Sequence, residues 1–219
     1  MIGILDYGMG NLRSVQKAFE KLGGTRAVVV ADPGDVAGCE KVVLPGVGNF
    51  ADGMRELAAR GFVEPVRSFI ASGRPVLGVC MGMQLLFDRS SEQPDGSGGE
   101  AADTRQSVAG LGVIPGEVVR FQEDQGPDQP RLKVPHMGWN RLEDTGDSPL
   151  FAGLGPAPYA YFVHGYHCVP ADPAVVAAAA DYGGRFCAAV HHGNVWATQF
   201  HPEKSQRVGL RILQNFGAL

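Results

Sequence analysis

Five residues, Gly78-Val79-Cys80-Met81-Gly82, have the types and spacing that could do covalent chemistry. They close one apolar run, Pro75-Val76-Leu77, and open another, Met83-Gln84-Leu85-Leu86-Phe87. Strand, sharp turn, helix is the G-x-nucleophile-x-G elbow, with Cys at the position where hydrolases carry Ser. The glycines let a strained turn close and let substrate approach, because neither carries a side chain. A helix starting after Cys80 would set its positive end under the sulfur and favour the thiolate. Taken alone, the pentad is also compatible with Cys80 as a small buried hydrophobe in a glycine-rich turn.

A general base for such a nucleophile is offered by Phe200-His201-Pro202-Glu203. The preceding Asn194–Gln199 run is β-branched and aromatic, as in a strand. On an extended backbone, residues two apart point to the same side, so Glu203 would lie beside the His201 ring. Pro202 between them fixes φ. A carboxylate against one ring nitrogen selects the tautomer and stabilises imidazolium, which is the third-member logic of a triad. A surface His beside a surface Glu is the plainer alternative. The elbow and the His-x-Glu pair each supply what the other lacks.

The remaining histidines, His136, His164, His167, His191 and His192, have no metal-ligand spacing, and Cys39, Cys80, Cys168 and Cys187 form no C-x-x-C. No metal site and no cofactor are expected. His191-His192-Gly193-Asn194 reads as a hairpin tip.

At 219 residues the chain is long enough for one domain with its own core, by the rough guide of 100–200 residues per domain. A net charge of −4 with no basic stripe argues against nucleic acid. No apolar run reaches membrane-spanning length, so no membrane partner is expected. The N-terminus lacks a basic leader and starts directly in a strand pattern. Scattered cysteines with one reactive thiol fit a reducing cytoplasm.

The elements that must position the elbow are legible as alternating patterns. Ile2–Leu5, Ala27–Val30, Val42–Leu44 and Val76–Val79 read as buried strands. Leu12, Val15, Phe19 and Leu22 recur at helical spacing until Gly23-Gly24, and Leu57, Phe62, Val66, Phe69 and Ile70 until Gly73. Alternation of this kind implies βαβ units, a parallel sheet, and ligands at the strands' C-terminal ends, where Pro45-Gly46-Val47-Gly48 and Cys80 both fall. In the second half, Glu117–Phe121, Tyr159–His164, Phe186–Val190 and Val195–Phe200 read as strands with few helices between them, hence antiparallel. Val208, Ile212, Leu213 and Phe216 stripe a final helix. The segment 90–106 holds three glycines, four acids and no bulky apolar residue, so it reads as a mobile surface insertion without chemistry, and 123–130 as a smaller one. A lid is the alternative for 90–106, because it directly follows the elbow helix.

Cys80 in its elbow together with His201-Pro202-Glu203 resembles the class I, or triad, glutamine amidotransferases. Leu5–Ser14, Pro135-His136-Met137-Gly138-Trp139-Asn140 and Tyr161-Phe162-Val163-His164 are similar to the glutaminase subunit family of imidazole glycerol phosphate synthase. Gly165 departs from that pattern, where Ser or Thr is commoner. The resemblance covers nearly the whole chain outside the two insertions. It implies an α/β, flavodoxin-like, mainly parallel sheet flanked by helices, as one domain over 1–219. It implies Cys80, His201 and Glu203 as the triad, with oxyanion donors from Met81 and the Gly46, Val47 and Gly48 loop. Gln84, one helical turn past Cys80, would contact glutamine, although spacing alone equally allows a surface residue. The implied partner is a (β/α)₈-barrel cyclase in a heterodimer, which receives ammonia and makes imidazole glycerol phosphate and aminoimidazole carboxamide ribotide in histidine biosynthesis. Asn11, His136, Trp139, Asn140 and Lys204 would face it, with core packing the alternative for Trp139. Two other readings keep the fold: a triad glutaminase of another pathway, such as pyridoxal phosphate synthase, and a non-catalytic relative using Cys80 as a redox sensor.

Overall fold

The computed structural model describes residues 1–23, 26–92, 107–126, 131–146 and 148–219. The first half runs β1 (Ile2–Leu5), α1 (Leu12–Glu20), β2 (Ala27–Val30), β3 (Lys41–Leu44), α2 (Phe50–Ala59), α3 (Val63–Ala71), β4 (Val76–Val79), α4 (Met81–Gln84) and β5 (Phe87–Ser90). The second half runs β6 (Val108–Ala109), β7 (Ile114–Arg120), β8 (His136–Arg141), β9 (Tyr159–His164), β10 (Tyr166–Pro170), β11 (Val176–Asp181), β12 (Arg185–His192), β13 (Val195–Thr198) and α5 (Gln206–Ala218).

One sheet carries the order β2-β1-β3-β4-β13-β12-β10-β7-β5-β6, with β11 paired to β12. Strands β2, β1, β3, β4 and β13 are parallel neighbours. Every residue of β1, β4 and β13 is buried, as expected for strands covered on both faces. Phe50, Leu57, Phe62, Val66 and Phe69 of the α2–α3 region build the core on one face, and Val15, Phe19, Ile212, Leu213 and Phe216 of α1 and α5 build it on the other. The antiparallel strands of the second half continue this same sheet. Among the described residues, only β8 and β9 pair apart from it, as a hairpin layer.

Three of the expected elements differ in the structure, and strands β8, β10 and β11 are not among those expected from sequence. The Leu57–Ile70 pattern is two helices, because Leu57 and Phe62 are five apart and Gly61 intervenes with φ +75°. Phe62 N–H donates to Leu57 O and Gly61 N–H to Ala58 O, a Schellman stop. The run after Cys80 is helical only to Gln84. Leu85, Leu86 and Phe87 are wholly buried, leaving no polar face for a helix to show, and the chain turns into β5. Strand β13 ends at Thr198 rather than Phe200. Of the expected insertion 90–106, residues 93–106 lie outside the described residues, as do 127–130 and Gly24. Ser90 itself ends β5 and is buried, so the insertion begins later than its composition suggests.

The layer between β8–β9 and the main sheet holds a string of neutral polar groups. His136 and His164 are register partners across β8 and β9. His164 Nδ1 lies 2.8 Å from Tyr166 O, and a carbonyl only accepts, so Nδ1 carries the hydrogen. The ring's Nε2 then accepts from His136 Nδ1 at 3.1 Å. His136 Nε2 accepts from Asn140 Nδ2 at 3.3 Å, and that amide also donates to Asp181 O at 2.7 Å. Burial is the main cause that lowers His136 to about 4 and His164 to about 3.

Both rings therefore stay neutral in the fold, whereas in the unfolded chain they titrate near 6.5. Their contribution is fully present above about pH 6.5 and is lost as pH falls below it, by up to about 1.4 kcal/mol per pH unit for each ring. Denaturant midpoints should fall between pH 7 and pH 5, and His164→Asn should flatten that slope. A wild-type midpoint unchanged over this range would show that the rings accept protons without loss of the fold.

Candidate active site

Cys80 follows β4 directly and has φ +54° and ψ −111°, a conformation that L-residues rarely adopt. Both glycines of the elbow are explained by what surrounds them. A Cβ on Gly82 would lie 1.9 Å from Leu44 O, and one on Gly78 would lie 2.9 Å from Gly82 O. No larger residue fits at Gly82. The strained backbone is held by Cys80 N–H donating to Thr198 O at 2.7 Å and by Cys80 O accepting from Met83 N–H at 3.0 Å. Cys80 is 6% exposed, and its sulfur accepts from Gln199 Nε2 at 3.9 Å. The helix behind it is one turn, so the dipole effect expected from sequence shrinks to the first few amides of that turn.

His201 arrives from the end of β13, the strand parallel to β4. The His201–Glu203 contact is made by a turn rather than by the strand expected from sequence. Pro202 has no N–H to give a ladder and opens a 3₁₀ turn, Pro202–Lys204, with extended His201 capping it. Nδ1 lies 2.8 Å from Glu203 Oε1, with the side chains 2% and 3% exposed. An ionised carboxylate only accepts, so Nδ1 carries a hydrogen and Nε2 is left toward Cys80. That Nε2 is buried without a formed hydrogen bond. Burial alone would lower the ring's proton affinity. Contacts with Cys80 and Glu203 outweigh it and raise His201 to about 9. Within one site, burial thus decides the state of His164, and charged neighbours decide that of His201.

Cys80 and His201 line one cavity of about 190 Å³ with Val47, Gly48, Met81, Gln84 and Lys204. Gln84 is buried and donates through Nε2 to Tyr166 O and to Gln199 Oε1, both at 3.1 Å. This removes the surface-residue alternative. Gly46 lies just beneath, where a Cβ would meet Gly82 N and Met81 Cβ at 2.9 Å. Gly48 has φ +102°.

Of the residues expected to face a partner, Trp139 is 47% exposed and Asn11 and Lys204 are exposed, so core packing does not explain the tryptophan. Trp139 stacks edge-on against Tyr161, and Lys204 Nζ lies 5.9 Å from the same ring. Asn11 caps α1 by accepting from Ser14 N–H. Asn140 is half-buried by its bonds to His136 and Asp181. His136 corrects the sequence expectation. Strand alternation turns it inward, to 4% exposed, stacked against Phe162 and Tyr182.

Sequence reasoning missed Glu92, Gln199 and His164 as pocket residues. Glu92 sits in the segment dismissed as an insertion, yet it lines the cavity and accepts from Phe50 N–H at 2.7 Å. Burial is the main cause that raises its carboxyl. Only its place next to the well-packed β5 could have signalled this. His164 also lines the cavity.

The model of the family "Glutamine amidotransferase class-I" matches residues 3–218. The chain is 56% identical over 217 residues to the imidazole glycerol phosphate synthase subunit HisH of Syntrophotalea carbinolica, covering 99% of each chain. It is 53% identical to the protein of the same description from Geobacter sulfurreducens, covering 100% of this chain and 98% of that one. A crystal structure of a glutamine amidotransferase superposes with a TM-score of 0.69 at 22% identity, covering 99% of this chain and 98% of that chain, a likeness of fold alone. A strained cysteine elbow, a histidine–carboxylate pair facing it, and family likeness along nearly every residue converge: the chain belongs to the class I glutamine amidotransferases, among the HisH subunits of imidazole glycerol phosphate synthase.

Proposed function

We propose that the chain hydrolyses glutamine through a Cys80 thioester and passes the ammonia to a cyclase subunit. The observation that carries this is the convergence of the φ +54° Cys80 elbow and the buried His201–Glu203 pair on one cavity. Cys80 Sγ attacks the side-chain amide carbon, and the carbonyl oxygen takes the negative charge. Met81 N–H at the head of α4 and an amide of the Gly46–Gly48 loop receive that oxyanion. Imidazolium at His201 gives its Nε2 proton to the departing nitrogen, and ammonia leaves. The neutral ring then takes a proton from water, the hydroxide adds to the thioester, and glutamate departs as the sulfur is released. Glu203 keeps the ring's Nε2 turned to the sulfur throughout. Gln84 and Gly48 contact the substrate, and Glu92 faces its α-ammonium group.

The acceptor reaction belongs to the partner, a (β/α)₈-barrel cyclase that forms imidazole glycerol phosphate and aminoimidazole carboxamide ribotide in histidine biosynthesis. Exposed Met137, Trp139 and Tyr159 on the β8–β9 layer, beside Lys204 at the cavity, support docking there. Ammonia released in water would be protonated and lost as a nucleophile, so a covered mouth serves the transfer. The four cysteines are all free, which supports work in a reducing cytoplasm. Among the described residues no helix is long and apolar enough to cross a membrane.

Cys80→Ala should abolish glutamine-dependent synthesis by the complex while synthesis from added ammonium salt persists. Retained glutamine hydrolysis above background in that variant would remove Cys80 from the role of nucleophile. His201 must be protonated to expel ammonia, so kcat/KM should fall on the alkaline side near pH 9. Glu203→Gln removes one of the contacts that raise His201, and should move that limb to lower pH with activity partly kept. An alkaline limb at the same pH in both proteins would show that the limb is not His201.

A further inference from the structure

The geometry points to Tyr7 as a positioning residue that holds the Pro45–Gly48 loop in register with the Cys80 elbow. The inference deepens the proposed glutaminase mechanism and rests on Cys80 as its nucleophile. Tyr7 follows β1 at the C-terminal edge of the sheet, between the exits of its neighbouring strands. Its side chain is fully buried, and its hydroxyl donates to Pro45 O at 2.6 Å. The phenol must be protonated to do so, since a carbonyl only accepts. Burial first, and the nearby Cys80 second, push its proton affinity well above that of an ordinary tyrosine.

The phenol also bounds the loop from one side. A Cβ on Gly46 would lie 2.8 Å from Tyr7 Oη, and on the other side 2.9 Å from Gly82 N and Met81 Cβ. The loop backbone thus runs in a slot between the phenol and the elbow. In a trans peptide the carbonyl and the next N–H point in opposite directions, so fixing Pro45 O toward Tyr7 fixes the direction of Gly46 N–H. Val47 and Gly48, immediately beyond, are exposed, and Gly48 holds φ +102°. The Tyr7 bond is therefore a buried side-chain anchor just ahead of the positive-φ glycine that ends the loop. An oxyanion donor works only when it is aimed at the place where charge develops, and loss of one such donor costs roughly 10²–10³ in kcat. Loss of its anchor lets the same donor wander.

Tyr7→Phe keeps the ring and removes the anchor. In the complex with the synthase partner, its kcat for glutamine hydrolysis should fall about tenfold or more, with KM for glutamine within about twofold. The melting temperature should fall by only about 2–4 °C. Iodoacetamide gives a readout that a loosened elbow would move and a loosened oxyanion loop would not. Its alkylation of Cys80 forms the S–C bond as iodide leaves, with no oxyanion, so the rate at Cys80, read by peptide mass, should match wild type. 4-Aminophenylalanine at position 7 retains an N–H donor and should restore kcat to near the wild-type value. It also decides the matter by itself if Tyr7→Phe does not fold, a tenfold loss in it counting against the inference. A wild-type kcat in Tyr7→Phe, or equal losses in hydrolysis and alkylation, would overturn the positioning role. If instead wild-type protein alkylated at Cys80 still hydrolyses glutamine, the nucleophile assignment itself falls, and the role of Tyr7 with it.

Discussion

The near-contact between Gly82 and the Leu44 carbonyl is the constraint on which the site depends. At that point the elbow after β4 and the loop after β3 press backbone against backbone, with no room for a side chain. The approach brings the head of α4 and the Gly46–Gly48 loop to one side of Cys80. It also forces Cys80 into a left-handed conformation that costs on the order of 1–3 kcal/mol. The surrounding sheet over-determines that conformation. Strand β13 takes the Cys80 amide through Thr198 O and, three residues later, delivers His201. One parallel pair therefore positions both Cys80 and His201, and neither can move without the other's strand.

The site lies where an open α/β sheet offers a crevice. The order β2-β1-β3-β4 reverses direction of travel between β1 and β3, and their exits carry Tyr7 and the Pro45–Gly48 loop. The antiparallel half adds a wall with different chemistry. His136, His164, Tyr166 O, Gln84 and Gln199 form a continuous neutral network behind the pocket, its hydrogens fixed by one carbonyl acceptor. Against that wall stand the His201–Glu203 pair and, at the cavity rim, Lys204 and Glu92. A low-dielectric pocket strengthens the pair's effect on a developing charge, provided every other polar group is already satisfied.

The β8–β9 layer stands apart from the main sheet and turns Trp139, Met137 and Tyr159 outward while turning His136 inward. Strand alternation alone separates these roles. The same layer thus borders the proposed partner and, through His136 and His164, the wall of the Cys80 cavity.

Much of this was legible in the chain itself. The strands Ile2–Leu5, Ala27–Val30 and Val76–Val79 are unbroken apolar runs, and a parallel sheet follows from their alternation with helical spacing. The elbow and His-x-Glu were readable together, because each has a plain alternative alone and supplies what the other lacks. What tertiary structure alone decided are matters of contact between distant segments. Gly46 and Gly82 are small because of a neighbour some forty residues away, and the sequence around each carries no trace of it. Leu85–Phe87 has the composition of a helix but turns into β5 at Phe87, because complete burial leaves no polar face to orient. His136 and His201 are the same residue type, and only their surroundings lower the proton affinity of one and raise that of the other. Glu92 looked like solvated insertion because local composition reports average burial, whereas a single carboxylate reaches the pocket through the strand that precedes it. Local pattern fixes which segments form; the state of each polar group depends on what packing places beside it.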